Sequence, residues 1–153
     1  MISTQTNAFG QSQTLRSSSD PNREAIASRK TLLLAEDDED LRLIMQCSLS
    51  AMGYLVVACA DASLASAAFR TNAIDVLLTD FEMPGRTGLE LARELTAVQP
   101  TLPVMLITGS MLSLDILQEL QNRQWVYLRK PSNLSVVKSI LDKLIHVHDS
   151  LAA

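Results

Sequence analysis

Five short apolar runs alternate with five amphipathic stretches along this chain. Thr31–Ala35, Tyr54–Ala58, Ile74–Thr79, Leu102–Ile107 and Trp125–Leu128 are mostly apolar from end to end, the pattern of strands buried on both faces. Between them apolar residues return at helical spacing. Leu41, Ile44, Met45, Leu49 and Met52 mark a first helix, Leu64, Ala68 and Phe69 a second, and Leu89, Leu91, Ala92, Leu95 and Val98 a third. Leu112 to Asn122 carries a weaker helical pattern. Ser132 to about Ser150 closes the chain on Leu134, Val137, Ile140, Leu141, Leu144 and Ile145. The punctuation agrees with these boundaries. Gly53 suits the residue just past a helix end, Asp61 an N-cap with closure near Asn72, and Gln99-Pro100 a helix stop. Strand and helix alternating in this way predict an α/β fold, a parallel sheet with helices on both faces.

Residues 1 to about 28 break the pattern. They are rich in Ser, Thr, Gln and Asn and poor in large apolar side chains, so they bury too little surface to offset the entropy of ordering. The expectation is a flexible tail over 1–28, with a short helix around Asn22 to Ala27, followed by one domain over 29–150. The 153 residues are enough for that domain to have a real core. A net charge of −4 predicts no basic face for nucleic acid or membrane. No apolar run approaches the roughly 20 residues that span a bilayer, and the start lacks the form of a secretory signal. Cys47 and Cys59 have small or apolar neighbours, which predicts two buried free thiols and a reducing, cytoplasmic setting.

Chemistry gathers where the strands stop. The first strand runs into Glu36-Asp37, the third into Asp80, the fourth into Thr108 and the fifth into Lys130. In a parallel sheet these ends share one edge, the edge at which open α/β sheets bind ligands. Clustered carboxylates repel one another unless a cation sits among them, and hard oxygen donors of this kind suit Mg²⁺. A lysine and a hydroxyl beside them could hold phosphoryl oxygens. Asp80 would then be the nucleophile that forms an aspartyl phosphate. Pro84 and Gly85 would keep the adjoining loop open, with backbone N–H groups facing the phosphoryl group.

Four segments together carry a family resemblance: Leu33-Leu34-Ala35-Glu36-Asp37-Asp38, Leu78-Thr79-Asp80-Phe81-Glu82-Met83-Pro84-Gly85, Ile107-Thr108-Gly109 and Arg129-Lys130-Pro131. Over about residues 30 to 148 the chain resembles the receiver domain of two-component response regulators. The resemblance implies a doubly wound, flavodoxin-like (βα)5 fold with strand order 2-1-3-4-5. It implies Asp80 as phosphoacceptor, with Glu36, Asp37, Asp80 and the backbone carbonyl of Glu82 around Mg²⁺. Lys130 would pair with the phosphoryl group, Thr108 would be the switch hydroxyl, and Tyr127 the aromatic that moves with it. The implied partners are a histidine kinase or phosphotransfer protein upstream, and a downstream protein at the face of the fourth helix, fifth strand and fifth helix. A phosphorylation-dependent homodimer is also consistent with it. The chain would be no enzyme beyond its own phosphorylation and dephosphorylation.

The sequence departs from that pattern in three places. Glu36 stands where an Asp is commoner, a variation the family tolerates. Glu82, two residues after the acceptor, puts a carboxylate at the rim, where it could contact Lys130 or alter water attack on the acyl phosphate. Gln121–Trp125 lacks the small Gly-Ala pattern usual before the fifth strand. Trp125 reads as a packing or interface residue, and Met45, Met52, Met105 and Met111 as core or gap filler. His146 and His148, late in the last helix, suit its dipole. Few residues follow that helix, which suggests a stand-alone receiver; a fragment of a larger regulator or hybrid kinase is the alternative. Two other readings compete: a pseudo-receiver that binds protein without phosphate, and a phosphatase with an Asp nucleophile, for which Glu82 stands where a second Asp would serve as acid.

Overall fold

The computed structural model describes residues 28–152 and a short antiparallel pairing of Gln5–Thr6 with Ser12–Gln13. The expected tail over 1–28 and the helix around 22–27 lie almost wholly outside the described residues. From residue 31 onward strand and helix alternate: β1 (Thr31–Ala35), α1 (Glu39–Ala51), β2 (Leu55–Cys59), α2 (Ala62–Thr71), β3 (Val76–Asp80), α3 (Gly88–Val98), β4 (Val104–Thr108), α4 (Leu114–Asn122), β5 (Val126–Arg129) and α5 (Leu134–Ala152). The five strands form one parallel sheet in the order β2-β1-β3-β4-β5. That is the 2-1-3-4-5 order implied by the resemblance.

The sheet separates two cores because successive strand residues point to opposite faces. Leu33, Leu77, Val104 and Leu106 face α2, α3 and α4, meeting Ala65, Leu91, Leu95 and Leu120. Leu32, Leu34, Leu78, Met105 and Ile107 face α1 and α5, meeting Met45, Leu49, Val137 and Leu141. All of these residues are buried. Both faces are therefore covered, and the central strands have no polar side to show until they end.

Helix ends follow local chemistry. Asp38, Asp61, Thr87 and Ser113 each accept a backbone N–H from the first turn of their helix. Gly53, at φ 106°, turns the chain out of α1 in a conformation costly for other residues. The capping box of α3 is complete: Glu90 N–H donates to the Thr87 hydroxyl, and the Glu90 carboxylate accepts from Thr87 N–H. Thr87→Ala is expected to cost about 1 kcal/mol, measured as a lower midpoint in urea with an unchanged slope. Before β5, Gln124 adopts φ 56°, a left-handed turn made without the glycine that would favour it.

Several expected positions move. Four of the observed strands begin or end one or two residues later than the apolar runs suggested, so Asp80 and Thr108 are the last residues of their strands and not loop residues. Ile44 is exposed beside buried Met45, Ala65 replaces Leu64 as the inward residue of α2, and Val98 is exposed at the end of α3. Met111, expected in the core, is 85% exposed in the β4–α4 loop, where no second layer covers it. Cys59 is buried and free as expected, but Cys47 is exposed. It sits on the outward side of α1, opposite Met45 and Leu49. Trp125 is a packing residue, buried at the end of the α4–β5 turn with the Arg123 guanidinium 4.9 Å from its ring centre.

Candidate functional site

Strand register brings the polar residues together. Ala35 pairs with Thr79, Asp80 with Ile107, and Thr108 with Arg129. Glu36, Asp80, Thr108 and Lys130 are each at, or one residue beyond, the carboxyl end of a neighbouring strand. Glu36 is 1% exposed, Asp80 5% and Thr108 0%. Asp37 is exposed.

The Asp80 carboxylate is held at both oxygens. Oδ1 accepts from Glu82 N–H at 3.0 Å, and Oδ2 from Lys130 Nζ at 2.6 Å. Lys130 also donates to Glu36 Oε2 at 3.3 Å, so one ammonium bridges two buried acids. Arg42 of α1 fixes the β1–α1 turn by donating to the Glu36 carbonyl at 2.8 Å and the Asp37 carbonyl at 3.3 Å. Below the acceptor, Gly88 at the start of α3 lies so close that a Cβ there would be 2.0 Å from the Asp80 carbonyl oxygen. Gly88 N–H in turn donates to the Phe81 carbonyl at 3.0 Å.

One lysine does not satisfy the site. Burial raises the Glu36 carboxyl most, the charge of Asp80 raises it further, and Lys130 only partly offsets them, leaving it at about 7. Burial alone would lower Lys130, but Asp80 and then Glu36 more than reverse this and hold the ammonium protonated. Glu36, Asp37 and Asp80 can each present a carboxylate oxygen within 4.8 Å of the other two. The donor set, oxygen only and short of positive charge, fits Mg²⁺.

Glu82 does not contact Lys130 as expected. Its side chain leans the other way, over the end of β4, where three donors meet it: the Thr108 hydroxyl at 2.9 Å, Ser110 N–H at 3.1 Å and Gly109 N–H at 3.2 Å. Burial would raise its carboxyl, but the hydrogen bonds from Ser110, Thr108 and Gly109 win and hold it below the ordinary glutamate range. The adjoining loop turns one backbone N–H toward the acceptor, that of Glu82, and one away from it, that of Phe81. Phe81 N–H is taken by the Ile107 carbonyl at 2.7 Å and Glu82 N–H by Asp80 itself. Gly85, at φ 81°, makes the turn that follows Pro84. Tyr127 is 39% exposed on β5.

Gly88 and Arg42 are not among the residues that the sequence pattern singles out. Gly88 could have been suspected, because Thr87-Gly88-Leu89-Glu90 is a capping box that sets a helix start beside the acceptor. For Arg42 the only signal was a basic residue one turn into an acidic helix start, and that is weak.

Residues 32–142 match the family model described as the response regulator receiver domain. The chain belongs to that family. It is 40% identical over 80 residues to the response regulator receiver protein CpdR of Brucella abortus, covering 52% of this chain and 67% of that protein. It is 32% identical over 106 residues to the C4-dicarboxylate transport transcriptional regulatory protein DctD of Rhizobium meliloti, covering 69% of this chain but 23% of that protein. Among solved structures, a CheY-like response regulator receiver domain protein from Methanospirillum hungatei superposes with a TM-score of 0.74 at 22% identity, covering 80% of this chain and 98% of that one. That last likeness concerns the fold. Receiver domains are signalling modules that interact with histidine kinases and downstream effectors, and are not a class of conventional enzymes. Among the described residues, no helix is long and apolar enough to cross a membrane.

Proposed function

We propose that this receiver accepts a phosphoryl group on Asp80 from the phosphohistidine of a histidine kinase or phosphotransfer protein, and that the acyl phosphate changes which partner it binds. One observation carries the reading: a nearly buried carboxylate at the strand end, gripped by Lys130 at one oxygen and by a backbone N–H at the other, beside two further acids. An Asp80 oxygen forms the new bond to phosphorus as the phosphorus–nitrogen bond breaks, and the departing imidazole keeps the electron pair and takes up a proton. Glu36, Asp37 and Asp80, with the Glu82 carbonyl, would hold Mg²⁺, which when bound supplies positive charge to the transferring group. Lys130 stays protonated in contact with the acceptor and offsets negative charge there.

Thr108 is the switch hydroxyl in this reading and Tyr127 the aromatic that reports it. The exposed apolar residues Tyr127 and Val147, on β5 and α5, support the face of α4, β5 and α5 as the place where a downstream protein, or a second copy, docks. The chain acts catalytically only on its own phosphorylation and dephosphorylation. It works in the cytoplasm, over a domain running from about 29 to 150.

The test is intact-protein mass measurement after incubation with Mg²⁺ and a small phosphodonor. The expected result is the mass increment of one phosphoryl group in the wild type, and none in Asp80→Asn or after chelation of Mg²⁺. No adduct together with no Mg²⁺ affinity would instead support a pseudo-receiver. Repeated turnover of an added phosphate ester would support a phosphatase.

A further inference from the structure

Glu82 uses different atoms on two loops. Its backbone N–H donates to Asp80 Oδ1 at 3.0 Å. Its side chain crosses to the β4–α4 loop, where Oε1 accepts from the Thr108 hydroxyl at 2.9 Å and from Ser110 N–H at 3.1 Å, and Oε2 accepts from Gly109 N–H at 3.2 Å. The rest of the loop closes on the same hydroxyl. Ser110 N–H reaches Thr108 Oγ1 at 3.0 Å, and that hydroxyl's alternative acceptor is the Ser110 carbonyl at 3.2 Å. A hydroxyl and two consecutive amides converging on one carboxylate form an anion cradle, and the protein fills it with its own anion.

We propose that the Glu82 carboxylate stands in for the phosphoryl oxygen in the unphosphorylated protein, occupying the Thr108 hydroxyl and the Gly109 and Ser110 amides until the Asp80 phosphoryl group displaces it. The inference rests on the phosphoacceptor reading above. Thr108 has one proton to donate, so its bonds to Glu82 and to a phosphoryl oxygen exclude each other. The phosphoryl group carries between about 1.5 and 2 negative charges where the Asp80 carboxylate carried one, so the negative charge two residues from Glu82 rises by up to about one and moves outward, and the repulsion favours release of the carboxylate. Release frees the 109–110 loop, which leads directly into α4. Glu82 is thus a positioning residue that acts through Thr108. It raises the threshold of the switch.

Two measurements test this on the full chain. In the unphosphorylated protein, hydrogen exchange of the Gly109 and Ser110 amides is expected to be about tenfold faster in Glu82→Gln than in the wild type, with exchange in β3 and β4 unchanged. Glu82→Asp keeps the charge but is one methylene too short, and should speed the same two amides. With Mg²⁺ and beryllofluoride, a non-hydrolysed phosphoryl mimic, Glu82→Gln is expected to bind about tenfold more tightly, because the competitor is weakened. A merely structural role for Glu82 would instead weaken binding and speed exchange across the domain, and would overturn the proposal. So would unchanged exchange at 109 and 110, or unchanged affinity in a variant whose wild type binds the mimic. A wild type that binds no mimic at all would overturn the phosphoacceptor reading itself.

Discussion

Gly88→Ala is expected to lower stability by about 3 kcal/mol and to abolish phosphoryl uptake on Asp80. The added Cβ would lie 2.0 Å from the Asp80 carbonyl oxygen, 2.9 Å from its carbonyl carbon and 2.7 Å from Thr79 Oγ1. Two of these are backbone atoms, and the third is the hydroxyl of a stiff, β-branched side chain bonded to the Asp80 carbonyl. β3 is hydrogen-bonded to β1 on one side and β4 on the other, and α3 is anchored by Leu91, Ala92 and Leu95. Relief must come from moving the start of α3 away, which breaks the bond from Gly88 N–H to the Phe81 carbonyl and drags the acceptor's loop with it. Guanidinium denaturation and intact mass after phosphodonor treatment measure the two effects. A variant within about 0.5 kcal/mol of the wild type that is still phosphorylated would show that the loop yields freely.

Lys130→Met comes second in size. It leaves Glu36 and Asp80 facing each other in a buried setting with no positive partner. Removing one member of a buried ion pair costs about 3–5 kcal/mol; Lys130 is partly open to water, so about 2–3 kcal/mol is expected at pH 8 without Mg²⁺. The pH dependence has a definite sign. Glu36 keeps its proton to about 7 in the fold, against 4.5 ordinarily. The folded state therefore binds more protons than the unfolded state across that interval, and stability falls as pH rises through it. In the variant the carboxyl is raised further, so the deficit should be largest above pH 7 and shrink as pH falls. Saturating Mg²⁺ should recover part of it at pH 8. A deficit that did not depend on either pH or Mg²⁺ would mean that Lys130 stabilises by packing alone.

The order of elements was readable because each strand here is a mostly apolar run and the first three helices carry their own stop signals. The order of the strands in the sheet was not readable from periodicity; it came through family resemblance. Strand ends were less legible. Asp80 and Thr108 look like loop residues in sequence, yet they are paired in the sheet, because a buried strand can carry a polar residue at its last position if donors await it there. The meeting of Glu36, Asp37, Asp80 and Lys130 could be inferred, since a parallel sheet allows those ends no other place. The direction of the Glu82 side chain could not be inferred. It depends on two amides in the 109–110 loop, and backbone donors leave no mark in a sequence. Exposure at Ile44, Cys47 and Met111 escaped for the opposite reason: hydrophobicity shows which residues can be buried, and surrounding structure decides which ones are.

Stiffness is unevenly shared among the five helices. α3 sinks six residues into its side of the sheet and α5 packs Val137, Leu141 and Ile145 against the other, whereas α4 buries Leu120 alone. Beyond that, Ile116 packs partly buried against the same core and Arg93 of α3 grips Glu119 laterally with two nitrogens, while Arg123, at the end of α4 itself, holds the same carboxylate within the helix. Ion pairs at an exposed seam tolerate sliding better than interlocked side chains do, because they can re-form at a shifted distance with water making up the difference. Of the five helices, α4 is thus the panel least interlocked with the sheet. The loop that leads into that panel is the one to which the Glu82 carboxylate is fastened.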